Sequence, residues 1–265
     1  SIHEGTRFKT LIMSLAFKRT LPTLYKFLKK FERYVPGSAS LWDGKKYSLN
    51  LKIISMISVW KSWPRLKEES NIVFDLYNGG DFIDIGAAQG FYSFLLAPKA
   101  KTNNTFVQCE PNPAEKKDLV ENLKVLKRLF KHIKQEFVFE PVGKGELVSK
   151  QPTDYGHPVY TSQIMNNSED EVTKSIKIDD LVERLSLNPN FIKIDVEGAE
   201  YEVLQGAKNT LKNYKPLVML EKHPTLIPKN ITLNTIDNFF IEAGYKKERL
   251  IFKDDIAINE IWINS

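Results

Sequence analysis

Two acidic side chains occupy positions where a carboxylate would meet a cofactor at the end of a β-strand. The first, Asp84, stands two residues before Gly86 in the run 81–90 (DFIDIGAAQG), whose pattern predicts a strand, a glycine turn and the start of a helix. The second, Glu110, ends an apolar run twenty residues after Gly90. A carboxylate in that place accepts hydrogen bonds from both hydroxyls of a ribose. The two spacings therefore predict a nucleoside-binding site.

The turn between these carboxylates is a poor fingerprint for a dinucleotide. Ala88 and Phe91 stand where such a fingerprint has glycine, and the carboxylate of Asp84 would repel a pyrophosphate but attract an ammonium group. S-adenosylmethionine carries that ammonium group, whereas a nicotinamide-dependent oxidoreductase is disfavoured. The residues predicted to contact the cofactor are Asp84, Gly86, Ala88, Gly90, Glu110, Asn112 and Asp195.

A second group of polar residues follows two further apolar runs of strand length. Asp195 ends the run 190–195, and its place beside the cofactor turn makes it the first candidate for the point where a methyl group leaves sulfur. Glu221 and His223 are two residues apart, so they point to the same side of a strand that continues that far. A neutral imidazole near pH 7 takes a proton from a hydroxyl, which makes His223 the candidate base. A histidine beside Pro224 is otherwise a capped strand end.

Asp195, Glu221 and His223 are thus the candidate catalytic residues, and they are also a candidate metal site. Two oxygens and one nitrogen are acceptable ligands for Mg²⁺ or Mn²⁺, and such an ion would hold two neighbouring hydroxyls of an acceptor. Methyl transfer itself requires mainly in-line positioning and the removal of one proton. The sequence therefore leaves open whether this group holds a metal or only moves a proton.

Apolar runs of strand length alternate with amphipathic stretches around these residues. Strands are predicted at 82–85, 105–110, 136–140, 190–195 and 216–221, and helices at 113–131 and 200–211. Asp179 and Asp180 are predicted to cap a further helix. The alternation predicts an α/β fold with a doubly wound, mostly parallel sheet, in which ligands bind beyond the C-terminal ends of the strands.

Three stretches lie outside this alternation. Residues 8–31 carry apolar side chains at helical spacing with lysines between them, which predicts two amphipathic helices that meet near Pro22. Asp43 and Gly44 predict a short β-hairpin with a two-residue turn. Residues 143–175 are polar and have no clear period, so they are predicted to form either a lid on the substrate side or a disordered loop.

Charge is distributed unevenly along the 265 residues. Residues 1–70 contain 14 Lys and Arg against 5 Asp and Glu, whereas residues 71–265 contain 24 against 28. A basic segment ahead of a nearly neutral body suits contact with an anionic surface, and it is equally well explained as a solvated helical face. We predict a basic helical and hairpin segment over 1–70 and a cofactor-binding domain over 71–265.

Cysteine content and hydropathy limit where such a chain would act. The single cysteine, Cys109, forms no internal disulfide and supplies no Cys-rich zinc site, which predicts a reducing, cytoplasmic location. No apolar run approaches the roughly 18–20 residues that span a bilayer, so no transmembrane span is predicted. Residues 1–4 lack the basic-then-apolar layout of a secretory signal.

Five motifs between residues 81 and 224 resemble those of the FkbM-type S-adenosylmethionine-dependent methyltransferases, in the same order. They are 84–87 (DIGA), 109–113 (CEPNP), 178–181 (IDDL), 191–200 (FIKIDVEGAE) and 220–224 (LEKHP). The resemblance implies a class I, Rossmann-like fold and O-methylation of sugars or related hydroxyls, for which some related sugar O-methyltransferases use a metal. Ala88 and Gln89 depart from the family pattern, which is expected to alter the contacts with the cofactor.

The residues and the resemblance together predict a cytoplasmic S-adenosylmethionine-dependent O-methyltransferase. Its acceptor is predicted to be a small molecule, glycan or glycolipid that offers a saccharide hydroxyl. Two alternatives stay open: an RNA methyltransferase that uses the basic segment, and a methyltransferase-like binding module that docks a membrane or a partner. The basic segment has no RNA-binding signature, which disfavours nucleic acid, whereas residues 8–33 suit peripheral contact with an anionic membrane. The sequence predicts no oligomeric state.

Overall fold

The computed structural model describes residues 31–150, 159–161 and 171–265. The two amphipathic helices predicted over 8–31, and nearly all of the proposed membrane contact over 8–33, lie outside the described residues. The elements in chain order are β1 (Pro36–Ser40), β2 (Lys46–Asn50), α1 (Leu51–Ser62), α2 (Pro64–Leu76), β3 (Asp81–Ile85), α3 (Phe91–Leu96), β4 (Thr105–Cys109), α4 (Pro113–Leu129), β5 (Lys134–Val138), β6 (Glu146–Lys150), β7 (Val159–Thr161), β8 (Glu171–Lys174), α5 (Ile178–Leu185), β9 (Pro189–Ile194), α6 (Glu200–Gln205), α7 (Lys208–Tyr214), β10 (Leu217–Lys222), α8 (Leu233–Glu242), β11 (Tyr245–Lys253) and β12 (Ile258–Asn264).

A seven-stranded sheet forms the centre of the described fold. Its strand order is β11-β12-β10-β9-β3-β4-β5. The five strands from β10 to β5 are parallel, whereas β12 runs antiparallel to both β10 and β11. The chain leaves β3 towards β5 and later returns on the other side of β3 with β9, so the switch point lies between β3 and β9. The predicted doubly wound, mostly parallel α/β fold is confirmed, and ligands of such sheets bind at this switch point.

Hydrophobic side chains cover both faces of the sheet, as a parallel sheet between two helical layers requires. On one face, the rings of Phe82, Phe106 and Phe191 come from neighbouring strands in register and pack against each other. The residues that follow them point to the opposite face and join a second core cluster. Both faces of the sheet are therefore covered by apolar side chains, so polar residues and a ligand can be accommodated at the ends of the strands.

The C-terminal part of the chain differs from the sequence-based prediction in two respects. The helix predicted over 200–211 is interrupted, because Gly206 packs directly against the backbone of Gly143 and a new helix, α7, starts two residues later. Asp179 accepts hydrogen bonds from the backbone N–H and the hydroxyl of Thr210, both at 2.7 Å, so its carboxylate caps α7 rather than its own helix. Strands β11 and β12, which complete the sheet, were not predicted.

Two predicted loops are also corrected by the structure. The hairpin of β1 and β2 forms, and Gly44 adopts a φ of +77°, but the strands are joined by five residues, 41–45, instead of two. Within 143–175, strands β6, β7 and β8 form a small antiparallel sheet, so this stretch is neither a bare lid nor wholly a loop. Residues 151–158 and 162–170 lie outside the described part of the chain.

Helices α1 and α2 belong to the same core as the sheet. Ile53, Ile57 and Val73 are fully buried in one cluster with Phe82 and Phe91. The predicted division after residue 70 falls inside α2, so it does not mark a boundary in the packing of the described residues. Among those residues, every helix is too short or too polar to cross a membrane.

Candidate functional site

A cavity of about 500 Å³ opens at the C-terminal ends of β3, β4, β9 and β10. Its size is that of a small-molecule site, and it lies where the switch point predicts ligand binding. Helices α1 and α2 supply part of its wall, next to α3. The lining residues are Met56, Trp60, Arg65, Leu66, Glu69, Ile85, Gly86, Ala87, Ala88, Gln89, Phe91, Tyr92, Cys109, Glu110, Pro111, Asn112, Glu115, Pro141, Val142, Leu147, Lys193, Asp195, Val196, Glu197, Ala199 and Glu221.

The glycines of the cofactor turn have different tasks. Gly86 has a φ of +80°, and a Cβ atom there would collide with the backbone carbonyl of Asp195, so the turn can lie close to the end of β9 only with glycine. Gly90, also at +80°, faces Leu119 and Leu123 of α4 and is not among the residues that line the cavity. Gly86 and Ala88 line the cavity, whereas the position of Gly90 is explained by helix packing and its contact with a ligand stays a prediction.

Gly86 provides a direct test of this packing. We expect Gly86→Ala to lower the free energy of unfolding by about 2–4 kcal/mol, because strain at positive φ adds to the collision with the Asp195 carbonyl. Gly44→Ala is the matched control, since Gly44 has nearly the same φ (+77°) and no neighbour within 4 Å of a new Cβ. It should cost only about 1–2 kcal/mol. Equal losses in urea unfolding would show that the close approach at Gly86 is unimportant.

Glu110 is held rigidly at the end of β4. Its two carboxylate oxygens accept hydrogen bonds from the backbone N–H groups of Ala88 and Asn112, each at 2.8 Å. Burial raises the pKa of the Glu110 carboxyl above its ordinary value, and the two N–H bonds oppose that rise. Asn112 caps α4 through its side-chain oxygen, which accepts from Ala114 at 3.0 Å. Both residues line the cavity where the prediction places the ribose.

Asp84 has a different environment from the one predicted. Its carboxylate is fully buried and absent from the cavity lining. The ammonium group beside it belongs to Lys193 of β9, whose Nζ lies 3.6 Å from Asp84 and 3.3 Å from Asp195 and donates to the Gly86 carbonyl at 2.7 Å. The predicted direct contact between Asp84 and a bound ammonium group does not fit this placement, because Lys193 stands between Asp84 and the cavity edge at Asp195.

Lys193 and Asp84 form a strongly buried ion pair. Burial raises the pKa of Asp84 to about 6, and the charge of Lys193 limits that rise. Burial on its own lowers the pKa of Lys193, but the carboxylates of Asp195 and Asp84 outweigh it and raise that pKa above its ordinary value. Lys193 is therefore a permanent cation that ties the cofactor turn to Asp195.

The three candidate catalytic residues come together, as predicted. One ligand atom from each of Asp195, Glu221 and His223 lies within 4.8 Å of the other two. Asp195 and Glu221 line the cavity, whereas His223 lies just behind them with 8% of its surface exposed. The pairing of β9 with β10 explains this meeting, because the C-terminal ends of adjacent parallel strands project their residues into one place.

His223 has a buried acidic partner that the sequence did not predict. Its Nδ1 lies 2.9 Å from Oε1 of Glu200, a carboxylate at the start of α6 with no exposed surface. Burial on its own lowers the pKa of His223. The hydrogen bond to Glu200 and the charges of the nearby carboxylates outweigh this effect and raise the pKa to about 9. The raised pKa disfavours the neutral imidazole that a base needs near pH 7, and the role of His223 as a base stays a prediction. Glu200 is the partner that holds His223.

Glu221 stands at the centre of a carboxylate-rich corner. Burial and the charges of Asp195 and Glu69 raise the pKa of Glu221 to about 8. The side-chain N–H₂ of Asn259, from β12, donates to Glu221 at 3.2 Å and to Glu69 at 3.0 Å, so one amide links two acidic groups. The acidic groups of this corner thus come from β10 and α2, and an amide from β12 links them.

Several lining residues were missed because they come from outside the motifs. Trp60 of α1 stacks on Phe91 with ring centroids 3.7 Å apart, and Arg65 of α2 lies 3.7 Å from Glu221. Glu69, also of α2, is buried and hydrogen-bonded to the Tyr92 hydroxyl. A glutamate on the apolar face of a helix, Glu69, was the feature of the sequence that could have indicated a buried polar contact. Its partner on α3 is apparent only in the folded chain.

The strand order, the glycine turn after β3 and the acidic residue after β4 define a class I, Rossmann-like methyltransferase domain. Comparison with known families agrees. Residues 84–247 match the methyltransferase FkbM domain family. Since this match takes in more than half of the sequence, the chain belongs to that family, and the predicted resemblance is confirmed.

Two individual proteins are also similar to this chain. Hexuronic acid methyltransferase AglP of Haloferax volcanii is 31% identical over 157 residues, which are 56% of this chain and 58% of the relative. The crystal structure of methyltransferase FkbM from Methylobacillus flagellatus KT is 17% identical with a TM-score of 0.50, and the similarity covers 80% of this chain and 53% of that one. At 17% identity this likeness concerns the fold alone. The chain thus spans little more than half the length of either protein.

Proposed function

We propose that this protein transfers a methyl group from S-adenosylmethionine to an oxygen of a saccharide. The observation that carries the proposal is a single cavity with a rigid carboxylate, Glu110, at one end and the cluster of Asp195, Glu221 and His223 at the other. The first suits a ribose, and the second suits a hydroxyl that must lose a proton. Membership of the methyltransferase FkbM domain family supports the same activity.

The residues that would hold the cofactor lie on one wall of the cavity. Glu110 accepts the ribose hydroxyls, and Gly86, Ala88 and Asn112 bring backbone close to the bound molecule. When bound, S-adenosylmethionine supplies a methyl group on an electrophilic sulfonium. Lys193 fixes the turn against Asp195, so the carboxylate of Asp195 sits at the end of the cofactor wall, towards the acceptor.

The acceptor side is built by Asp195, Glu221 and the aromatic wall around Trp60. Asp195 and Glu221 orient the acceptor hydroxyl and one of them takes up its proton, while Nε2 of His223 lies 3.8 Å from Asp195 and 3.7 Å from Glu221. Trp60 offers an apolar face against which a sugar ring can pack. The relative named as a hexuronic acid methyltransferase supports a saccharide acceptor, and a uronic acid in particular.

Transfer of label from S-adenosylmethionine with a tritiated methyl group tests this proposal. The acceptors would be hexuronic acids, the matching neutral hexoses and short oligosaccharides of both. We expect label in the saccharide fraction at neutral pH. Label that survives mild alkali marks an ether on a hydroxyl, whereas alkali-labile label marks an ester on the uronic carboxylate. A folded sample that binds S-adenosylhomocysteine but labels none of these saccharides would contradict the saccharide assignment.

A cytoplasmic location and contact of residues 8–33 with an anionic membrane remain predictions. Flotation with vesicles of phosphatidylcholine and phosphatidylserine, compared for the full chain and for a chain starting at residue 34, would test the membrane contact. We expect the full chain alone to float at low salt, because basic residues are attracted to anionic lipid. Equal behaviour of both chains would exclude the contact.

A further inference from the structure

We propose that Asp195, Glu221 and His223 bind one divalent cation of the Mn²⁺ type, which holds the acceptor oxygen. The role given to the cation rests on the proposed function, whereas its binding does not. The three side chains come from the ends of β9 and β10, and their ligand atoms lie within 4.8 Å of one another. Two of the three residues line the cavity, so an ion there would face a bound acceptor.

The inference depends on the distances from Nε2 of His223 to the two carboxylates. This atom lies 3.8 Å from Oδ1 of Asp195 and 3.7 Å from Oε1 of Glu221, too far for a hydrogen bond to either. Two ligands at about 2.1 Å from one ion lie roughly 3–3.6 Å apart. Small rotations of the two carboxylates therefore complete a coordination shell. Within the described part of the chain, no group forms a hydrogen bond with Nε2, although the side chain of His223 is only 11% exposed.

Glu200 gives the second, independent observation, because it fixes which ring nitrogen faces the cluster. Its Oε1 accepts from Nδ1 of His223 at 2.9 Å and from the backbone N–H of Gly198 at 3.0 Å. Metal-binding histidines commonly donate their other ring N–H to a buried carboxylate in this way. Glu200 itself is fully buried and outside the cavity, so it acts as a positioning residue.

The donor set indicates the kind of ion. One imidazole nitrogen beside two carboxylate oxygens favours Mn²⁺ over Mg²⁺, which prefers oxygen alone. Oδ2 of Asp195 is directed towards Lys193 and is not one of the three ligand atoms. An acceptor hydroxyl on the ion would pass its proton to this oxygen, while the hydroxyl oxygen forms its bond to the methyl carbon and the carbon–sulfur bond breaks.

Mn²⁺ is titrated into the folded protein, and electron paramagnetic resonance measures the concentration of the ion that stays free. This measurement reports binding without an activity assay. We expect one Mn²⁺ per chain, weakened at least tenfold in Glu221→Gln and by ten- to a hundredfold in Glu200→Gln. A tenfold excess of Mg²⁺ should displace the bound Mn²⁺ only in part. Glu202→Gln is the matched control, because Glu202 is a buried carboxylate of α6, the helix of Glu200, that neither lines the cavity nor belongs to the cluster, and the affinity for Mn²⁺ should change less than twofold.

The outcomes separate this inference from the proposed function. Absence of saturable Mn²⁺ binding, or equal weakening by Glu202→Gln, would overturn the cation site. Calorimetry with S-adenosylhomocysteine on the same samples reports the cofactor wall independently. Retained S-adenosylhomocysteine binding without Mn²⁺ binding would remove the cation and leave the methyltransferase assignment, whereas the reverse result would leave a cation site and remove the cofactor. Thermal unfolding identifies any variant that is not folded.

Discussion

Replacing Lys193 with methionine should lower the free energy of unfolding by about 3–5 kcal/mol. The variant keeps the volume of the side chain but leaves the carboxylate of Asp84 buried without a cation, and an unpaired buried charge has a cost of that size. Urea unfolding followed by circular dichroism would measure the change. The double variant Lys193→Met, Asp84→Asn should recover much of the loss, because it removes the stranded charge.

An exposed ion pair supplies the control for this experiment. Lys124 and Glu121 are joined at 2.7 Å on the surface of α4, so Lys124→Met should change stability by less than about 0.5 kcal/mol. If Lys193→Met were equally mild, or if the second substitution made it worse, the Lys193–Asp84 pair would not be what ties β9 to the cofactor turn.

Glu221→Gln should reduce kcat for methyl transfer by about a hundredfold or more. The substitution keeps the shape of the side chain but removes a carboxyl group that orients the acceptor and can exchange its proton, and a positioned proton-transfer group contributes about 10²–10⁴ to the rate. Steady-state kinetics on the labelled saccharide would give kcat and KM separately. The Kd for S-adenosylhomocysteine should change by less than about threefold, because Glu110 and the glycine turn lie at the other end of the cavity.

Asp254→Asn is the matched control for the Glu221 variant. Asp254 is exposed and lies 3.4 Å from the same Arg65 that faces Glu221, but it does not line the cavity. Its removal should leave kcat within about twofold. Parallel losses of kcat and of S-adenosylhomocysteine binding in Glu221→Gln would instead place Glu221 on the cofactor wall.

The sheet and the meeting of three site residues were predictable because both follow from local patterns. Apolar runs of strand length at 82–85, 105–110 and 190–195 specify parallel strands buried on both faces. Asp195 and Glu221 each stand at the C-terminal end of such a run, and parallel pairing brings adjacent ends together. Apolar runs therefore predicted that Asp195 and Glu221 meet at one edge of the sheet.

The environment of Asp84 was not predictable from the same patterns. Its spacing from Gly86 suggested an ammonium group on a ligand, but the cation is Lys193, more than a hundred residues away in sequence. The sign of this ion pair in the sequence is a lysine, Lys193, inside an otherwise apolar strand. Only the register of β3 against β9, in which Asp84 pairs directly with Lys193, shows that the two charges meet.

The part of the cavity wall that α1 and α2 supply was missed for a related reason. Trp60, Arg65 and Glu69 lie in helices that precede the residues matched by the family, and composition alone assigned them to a separate basic segment. Their contacts with Phe91, Glu221 and Tyr92 join segments that are distant in the chain. Helical spacing predicts which face is buried, but it does not predict that the buried face closes a cavity.

Calorimetric titration with S-adenosylhomocysteine tests the central claim, that the cavity is a cofactor site organised by Glu110, most directly. We predict saturable binding at one site per chain by the wild-type protein and a loss of at least about tenfold in affinity in Glu110→Ala, because the ribose hydroxyls lose their acceptor. Glu121→Ala, on the exposed face of α4, should bind as the wild type does. A folded wild-type protein that does not bind S-adenosylhomocysteine, or a Glu110→Ala variant that binds it equally well, would contradict the account.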